Sequence, residues 1–284
     1  MRDHFKPFPP IPKETTQAAD AIFGRNNFYM VIGEHLDALL EDIRLPGLSG
    51  GNRPSSREAA SWALITIFQF LEGLTDVQAV DAIRSRLDWK FALHLPLVPV
   101  RFHEYVFCEF RQRILKDPAS QHEFQRLMGR VNTLRSSPNR DSQKVNSREV
   151  AAFVCSINRL NHAQQAMNQA LEVLAARFPD WLRKTALPHW YGRYNRVIPR
   201  LEVAILLGQQ HFLTEEIGSD IQHLLKKVHQ SDPPELAELP EVKMLDRLWA
   251  QQFKVPDQMS KNLPEDQSLK GCATCAYRGG GRRL

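Results

Sequence analysis

"FQFLEGLTDVQAVDAIRSRLDWKFAL", residues 68–93, decides how the chain is read. Its first residues close a strongly apolar segment, 57–72, in which Trp62, Leu64, Ile65, Phe68 and Leu71 share a face that Ile67 and Phe70 widen. A helix apolar over so much of its circumference is buried. Ser56 is a good N-cap for it and Gly73 stops it. Thr75, followed three residues later by Gln78, is a capping-box pattern that starts a second helix, 76–88. There Val77, Val80, Ile83 and Leu87 make an apolar face, while Gln78, Ala82, Ser85 and Arg86 lie opposite. Arg84 falls near the apolar margin, where its stem can lie along the surface. Two helices joined by a short glycine-containing turn, the second with a polar face, fit a helix-turn-helix pair. An αα-hairpin in a bundle core has the same spacing, and spacing alone favours it.

Outward from this stretch the pattern stays helical. Upstream lies a proline-rich arm over 1–13, then a helix over 17–23 capped by Thr16, a helix over 28–41, and the loop "LPGLSGGNRPSS". Downstream, "DWKFALHLPLVPV" is irregular because Pro96 and Pro99 break it. Helices follow over 101–115, with Phe102, Val106, Phe107, Phe110 and Ile114 inward, and over 121–134. Arg111 and Arg113 fall near opposite margins of the first of these. Residues 101–145 hold nine Lys/Arg against five Asp/Glu, which makes either a solvated face or a phosphate track.

At "QKVNSREVAAFV", 143–154, an alternating pattern turns helical, with Asn146 at the junction. A long helix over 148–177 follows, then a short one begun by Asp180, the aromatic and basic "LPHWYGRYNR", and helices near 201–212, 214–230 and 241–252. From about Val255 the chain loses periodicity and reads as a disordered tail. The fold class is therefore mainly α. A helical domain covers 1–135, the region 136–254 holds a single strand-like segment at 143–146 followed by helices, and a loose tail fills 255–284.

The totals narrow the function classes. The 284 residues are 43% hydrophobic and 24% charged, which is globular, with net charge +5 and a pI near 9.1. That balance mildly favours an acidic partner such as nucleic acid. Four cysteines are too few for a disulfide framework, so a reduced, cytoplasmic setting is expected. Neither a signal peptide nor a membrane span is visible. The pair Cys272/Cys275 is a lone CxxC without the second pair a zinc site needs. There is no phosphate-binding loop and no HExxH.

Taken in order, several segments resemble the insertion-sequence DDE transposases of bacteria, InsH-like group. "FQFLEGLTDVQAVDAIRSRLDWKFAL" with "FHEYVFCEFRQRIL" is similar to their N-terminal domain. "IPKETTQAADAIFGRNNFYMVIGEHL" is similar to the start of one subgroup, and "INRLNHAQQAMNQALEVLAARFPDWL" and "ELPEVKMLDRLWAQQF" to its helical middle. The resemblance spans roughly 8–254 and shifts the helix-turn-helix reading toward DNA contact. It implies a cut-and-paste recombinase whose N-terminal domain helps bind terminal repeats. Its ribonuclease-H-like core would hold two Mg²⁺ or Mn²⁺ on three acids.

Against that pattern the first acid falls on Asn146, a neutral amide, and Asp141 is badly placed to replace it. The chain also departs from the family near Val255, before the other two acids, and Asp257, Glu265 and Asp266 lie in the unpatterned tail. The expectation is a truncated, catalytically incompetent transposase-like chain with no catalytic or metal residues of its own. Its expected partner is double-stranded DNA at transposon ends, and its expected associations are a homodimer or a complex with full-length transposase. Gln78 and Arg86 are candidates for groove contact, Arg111, Arg113 and Lys116 for phosphate contact, and Arg84 and Lys90 complete the DNA-binding set. Trp89, beside Lys90, is the tryptophan best placed for base stacking, though packing is favoured. Two other classes stay open: an active transposase with an unrecognised metal site, and a helical interaction module without a DNA role.

Overall fold

The computed structural model describes residues 8–45, 56–98, 105–135, 146–194, 203–231 and 234–253. Among these residues every regular element is a helix. The chain divides into two compact units, Met1–Val154 and Cys155–Leu284.

The first unit contains α1 Lys13–Ile22, α2 Phe28–Glu34, α3 Leu36–Leu40, α4 Ser56–Glu72, α5 Asp76–Ser85, α6 Leu87–Ala92, α7 Tyr105–Lys116 and α8 Pro118–Arg135. It also includes the start of α9, Ser147–Arg177. Its centre is α4. Ala63, Leu64, Ile65 and Phe68 are fully buried there, and Thr66 and Gln69 are buried with them. Phe68 meets Tyr29 edge-on at 5.0 Å and Trp89 at 5.2 Å, so one ring joins α2, α4 and α6. On another side, Phe110 of α7 sits edge-to-face against Trp62 and Phe124. Such aromatic geometry adds about 0.5–1.5 kcal/mol per pair beyond area burial. The α2–α6 approach is close enough to require glycine: a Cβ on Gly33 would lie 2.6 Å from the Phe91 ring and 2.8 Å from its carbonyl oxygen.

The second unit holds the rest of α9 with α10 Pro179–Thr185, α11 Pro188–Tyr194, α12 Val203–His229, α13 Glu235–Glu238 and α14 Pro240–Gln252. Leu160, Ala163, Met167, Ala170 and Leu174 recur at alternating steps of three and four along α9, which puts one seam in the core. Ile217, Ile221, Leu224 and Val228 do the same on α12, and Val242 and Leu245 of α14 join them. Asp220 is buried in this unit. It accepts hydrogen bonds from His189 at 3.0 Å, from the Tyr194 hydroxyl at 2.8 Å and from Arg193, tying α11 to α12. Burial alone would raise its pKa. The donors His189, Tyr194 and Arg193 outweigh that and hold the carboxyl below its ordinary value.

Several expected boundaries move. The first helix begins at Lys13, directly after Pro12, rather than at 17. Thr16 is therefore inside it, bonding back to the Pro12 carbonyl, while Thr15 is buried on the Leu95 carbonyl. The 28–41 segment breaks at His35. The second helix of the central stretch ends at Ser85, and part of the "irregular" DWKFAL segment is α6. Phe178, not Asp180, stands at the N-cap of α10. The two helices expected over 201–230 are one, α12. The strand-like 143–145 and the tail from 254 lie outside the described residues.

Candidate nucleic-acid interface

The turn between α4 and α5 is built from local rules. Gly73 takes a positive φ of 66°, which a side chain would strain. The Leu74 N–H donates to the Gln69 carbonyl, closing the end of α4. Thr75 then caps α5: its hydroxyl accepts the Gln78 N–H at 3.3 Å, and the Gln78 side-chain carbonyl accepts the Thr75 N–H at 3.0 Å. Between Glu58–Glu72 and Asp76–Ser85 the chain bends by 106°, inside the roughly 90–120° range of helix-turn-helix pairs.

The buried stripe of α5 is Asp76, Ala79, Val80, Ala82 and Ile83. Val77 was expected inside and Ala82 outside; instead Val77 is 45% exposed and Ala82 is buried. The inward side of α5 is not purely apolar: Asp76 is buried there, bonded to Gln69 and Arg111. The outer face consists of Val77, Asp81, Arg84 and Ser85. Arg84 stands clear of the apolar side, 3.8 Å from Asp81, with both side chains more than half exposed.

The other expected contacts divide sharply. Arg86 does not point away from the fold. Its Nε and Nη2 donate to the two oxygens of Asp88 at 3.0 and 2.6 Å, and its Nη1 donates to Glu72. The guanidinium lies over the Tyr29 and Trp89 rings, at 5.2 and 5.3 Å from their centroids. Burial disfavours this cation, but hydrogen bonds to Asp88 and Glu72 outweigh the penalty and keep its pKa above the ordinary value. In the same cluster, burial first and Glu72 second push the Tyr29 hydroxyl well above its ordinary range. Trp89 is fully buried and gives its indole N–H to Glu72 at 3.1 Å, so it packs rather than stacks on a base.

Lys90 and Arg111 are likewise inside. Lys90 is 5% exposed and its ammonium donates to the Leu97 carbonyl at 2.5 Å. Arg111 is fully buried, 2.6 Å from Asp76, with Gln69 bridging both. These two correct the expectation of surface cations at 90 and 111. The signal was present: Arg111 completes the 107, 110, 111, 114 face that Phe107, Phe110 and Ile114 bury. Of the arginines' partners, Asp88 lies two positions from Arg86, whereas Glu72 lies 14 positions from it and Asp76 35 positions from Arg111. Arg113 pairs with Glu109 one turn back and is about one-third exposed, and Lys116 is exposed. Gln78 is half-buried in its cap.

At the junction, Asn146 is a cap. Its side-chain carbonyl accepts the Glu149 N–H at 2.9 Å, its amide donates to Glu149 Oε1 at 2.7 Å, and its backbone N–H donates to Oε2 at 3.1 Å. Ser147 beside it bonds to Gln121 and Gln125 of α8. A divalent metal needs anionic oxygen at such a position. An amide whose carbonyl and NH₂ are both committed to a cap does not fit it.

Residues 17–113 match the family model described as Transposase domain (DUF772). The match supports a transposase-family protein. It covers the α4–α5 pair, both arginine clusters and Arg113, and stops short of Lys116 and Asn146. Neither the curated proteins nor the solved structures gave a match. No single helix among the described residues is long and apolar enough to cross a membrane.

Proposed function

We propose that the chain binds duplex DNA at insertion-sequence ends through its first unit, with α5 as the groove-facing helix. The observation that carries this is the α4–turn–α5 pair, bent by 106° and exposed along α5, inside the segment that matches the transposase domain. On that face Arg84 offers a fork for phosphate or guanine, and Val77 an apolar contact for a thymine methyl. Arg113 and Lys116 on α7 supply phosphate contacts that fix register without reading sequence. The DNA-binding set is thus narrower than the sequence suggested: Arg84, Arg113 and Lys116, with Gln78 holding the helix start.

The same proposal makes the chain a binder that does not cut. The support is Asn146, which the family resemblance aligns with the first acid and which is engaged in a cap. Fluorescence anisotropy with a terminal-inverted-repeat duplex and a scrambled duplex tests the binding. Tighter binding to the repeat, weakening steeply with salt, is expected. Equal affinity for both duplexes would overturn it.

A further inference from the structure

We infer that Arg86 and Arg111 are positioning residues that clamp the two ends of α5 to the end of α4, so that they set how the helix is presented instead of touching DNA. This rests on the DNA-binding reading above.

The geometry is symmetrical about α5. Its first residue, Asp76, takes the Nη2 of Arg111 at 2.6 Å and the side-chain N–H of Gln69 at 2.8 Å. Gln69 also donates to the Leu74 carbonyl at 3.3 Å and accepts from Arg111 at 3.3 Å. The α5 C-cap is Arg86 itself, whose N–H closes on the Ala82 carbonyl and whose guanidinium bridges Glu72 and Asp88. Gln69 and Glu72 are one turn apart on α4 and lie on the same side of it. One α4 edge therefore holds both ends of α5, and the α4–α5 angle follows from two fixed points.

Charge excludes the alternative role for Arg86. One guanidinium faces two carboxylates, Glu72 and Asp88, so the cluster carries a net −1 (one positive charge and two negative) and does not attract phosphate. Its faces are also covered by Tyr29 and Trp89. Arg111, fully buried, has no surface to offer.

The test uses the full chain, a duplex selected by the wild type from a random-sequence library, and a scrambled duplex. Arg86→Gln and Glu72→Gln are both expected to weaken selected-duplex binding about tenfold or more, with the salt slope unchanged. By contrast, Arg84→Ala and Lys116→Ala are expected to lower that slope by about one. Glu72→Gln is decisive because the two roles give opposite signs: an Arg86 that contacts DNA would be released and bind tighter, whereas a clamp would loosen. A slope reduced by about one in Arg86→Gln, or tighter binding in Glu72→Gln, overturns the inference. If the wild type selects no duplex, the DNA-binding reading falls. The clamps are then judged by amide hydrogen exchange in the free protein. Exchange over 76–85 should rise in Arg86→Gln and Glu72→Gln while 118–135 is unchanged; unaltered exchange over 76–85 overturns them.

Discussion

Arg111 and Asp76 form an ion pair at 2.6 Å with side-chain exposures of 0% and 2%, and it joins α7 to the first residue of α5. The sequence pattern places Arg111 at the margin of its helix's apolar face, as a phosphate contact; the fold turns it inward onto Asp76. Buried pairs of this kind contribute less by their attraction than by the penalty for breaking them, since one partner left alone is an uncompensated charge in a low dielectric.

Arg111→Ala should therefore destabilise the first unit by about 3–5 kcal/mol. Guanidinium denaturation followed by far-UV circular dichroism measures this. The double variant Arg111→Met with Asp76→Leu should recover most of the loss, because no charge then remains buried. A single variant as stable as the wild type would contradict the pair's role.

Gly33→Ala should cost about 1–3 kcal/mol, as over-packing does. The added methyl would fall 2.6 Å from the Phe91 ring and 2.8 Å from a backbone oxygen, which cannot move aside. Combining it with Phe91→Leu relieves only the ring contact, so thermal melts should show partial recovery.

Asn146→Ala should cost about 1 kcal/mol through loss of the cap. Asn146→Asp retains a capping oxygen and, on the proposed reading, still yields no strand cleavage with Mg²⁺ or Mn²⁺. Cleavage of an end-bearing plasmid by that variant would contradict the reading of Asn146 as a cap without catalytic neighbours.

Stability should depend on pH in two ways. The Tyr29 pKa is raised on folding, so its contribution is complete below the unfolded value of about 10 and is lost as pH rises through the folded one. Tyr29→Phe should therefore flatten the alkaline stability profile. The Asp220 pKa is lowered, so its contribution is present above the unfolded value of about 3.9 and is lost as pH falls through the folded one. The stability gap between wild type and Asp220→Asn should then close on acidification. A gap that stays constant would remove Asp220 from the account.

What was legible in the sequence was local. The Thr75/Gln78 capping box, Gly73 as a helix stop and Asn146 as a helix cap each depend on residues within three positions, and all three stand in the structure. The seam of α4 was readable because period and burial agree there. Arg86, Lys90 and Arg111 were misplaced because an apolar period does not record polar partners: Arg86 turns back onto Asp88 and Glu72, Lys90 onto the Leu97 carbonyl, and Arg111 onto another helix. Arg111 meets Asp76 across 35 positions and Gln69 across 42. For α5, Asp76 is buried on Arg111 and Gln69 while Val77 is exposed. A period computed from apolar residues alone cannot register a carboxylate drawn inward by an arginine on another helix.

The most direct measurement is fluorescence anisotropy of the wild-type chain against an insertion-sequence terminal-repeat duplex and a scrambled duplex, repeated with Arg84→Ala across a range of salt. The account predicts selective binding by the wild type, a steep salt dependence, and a slope about one smaller in the variant. Equal affinity for the two duplexes, with no change on replacing Arg84, would contradict it.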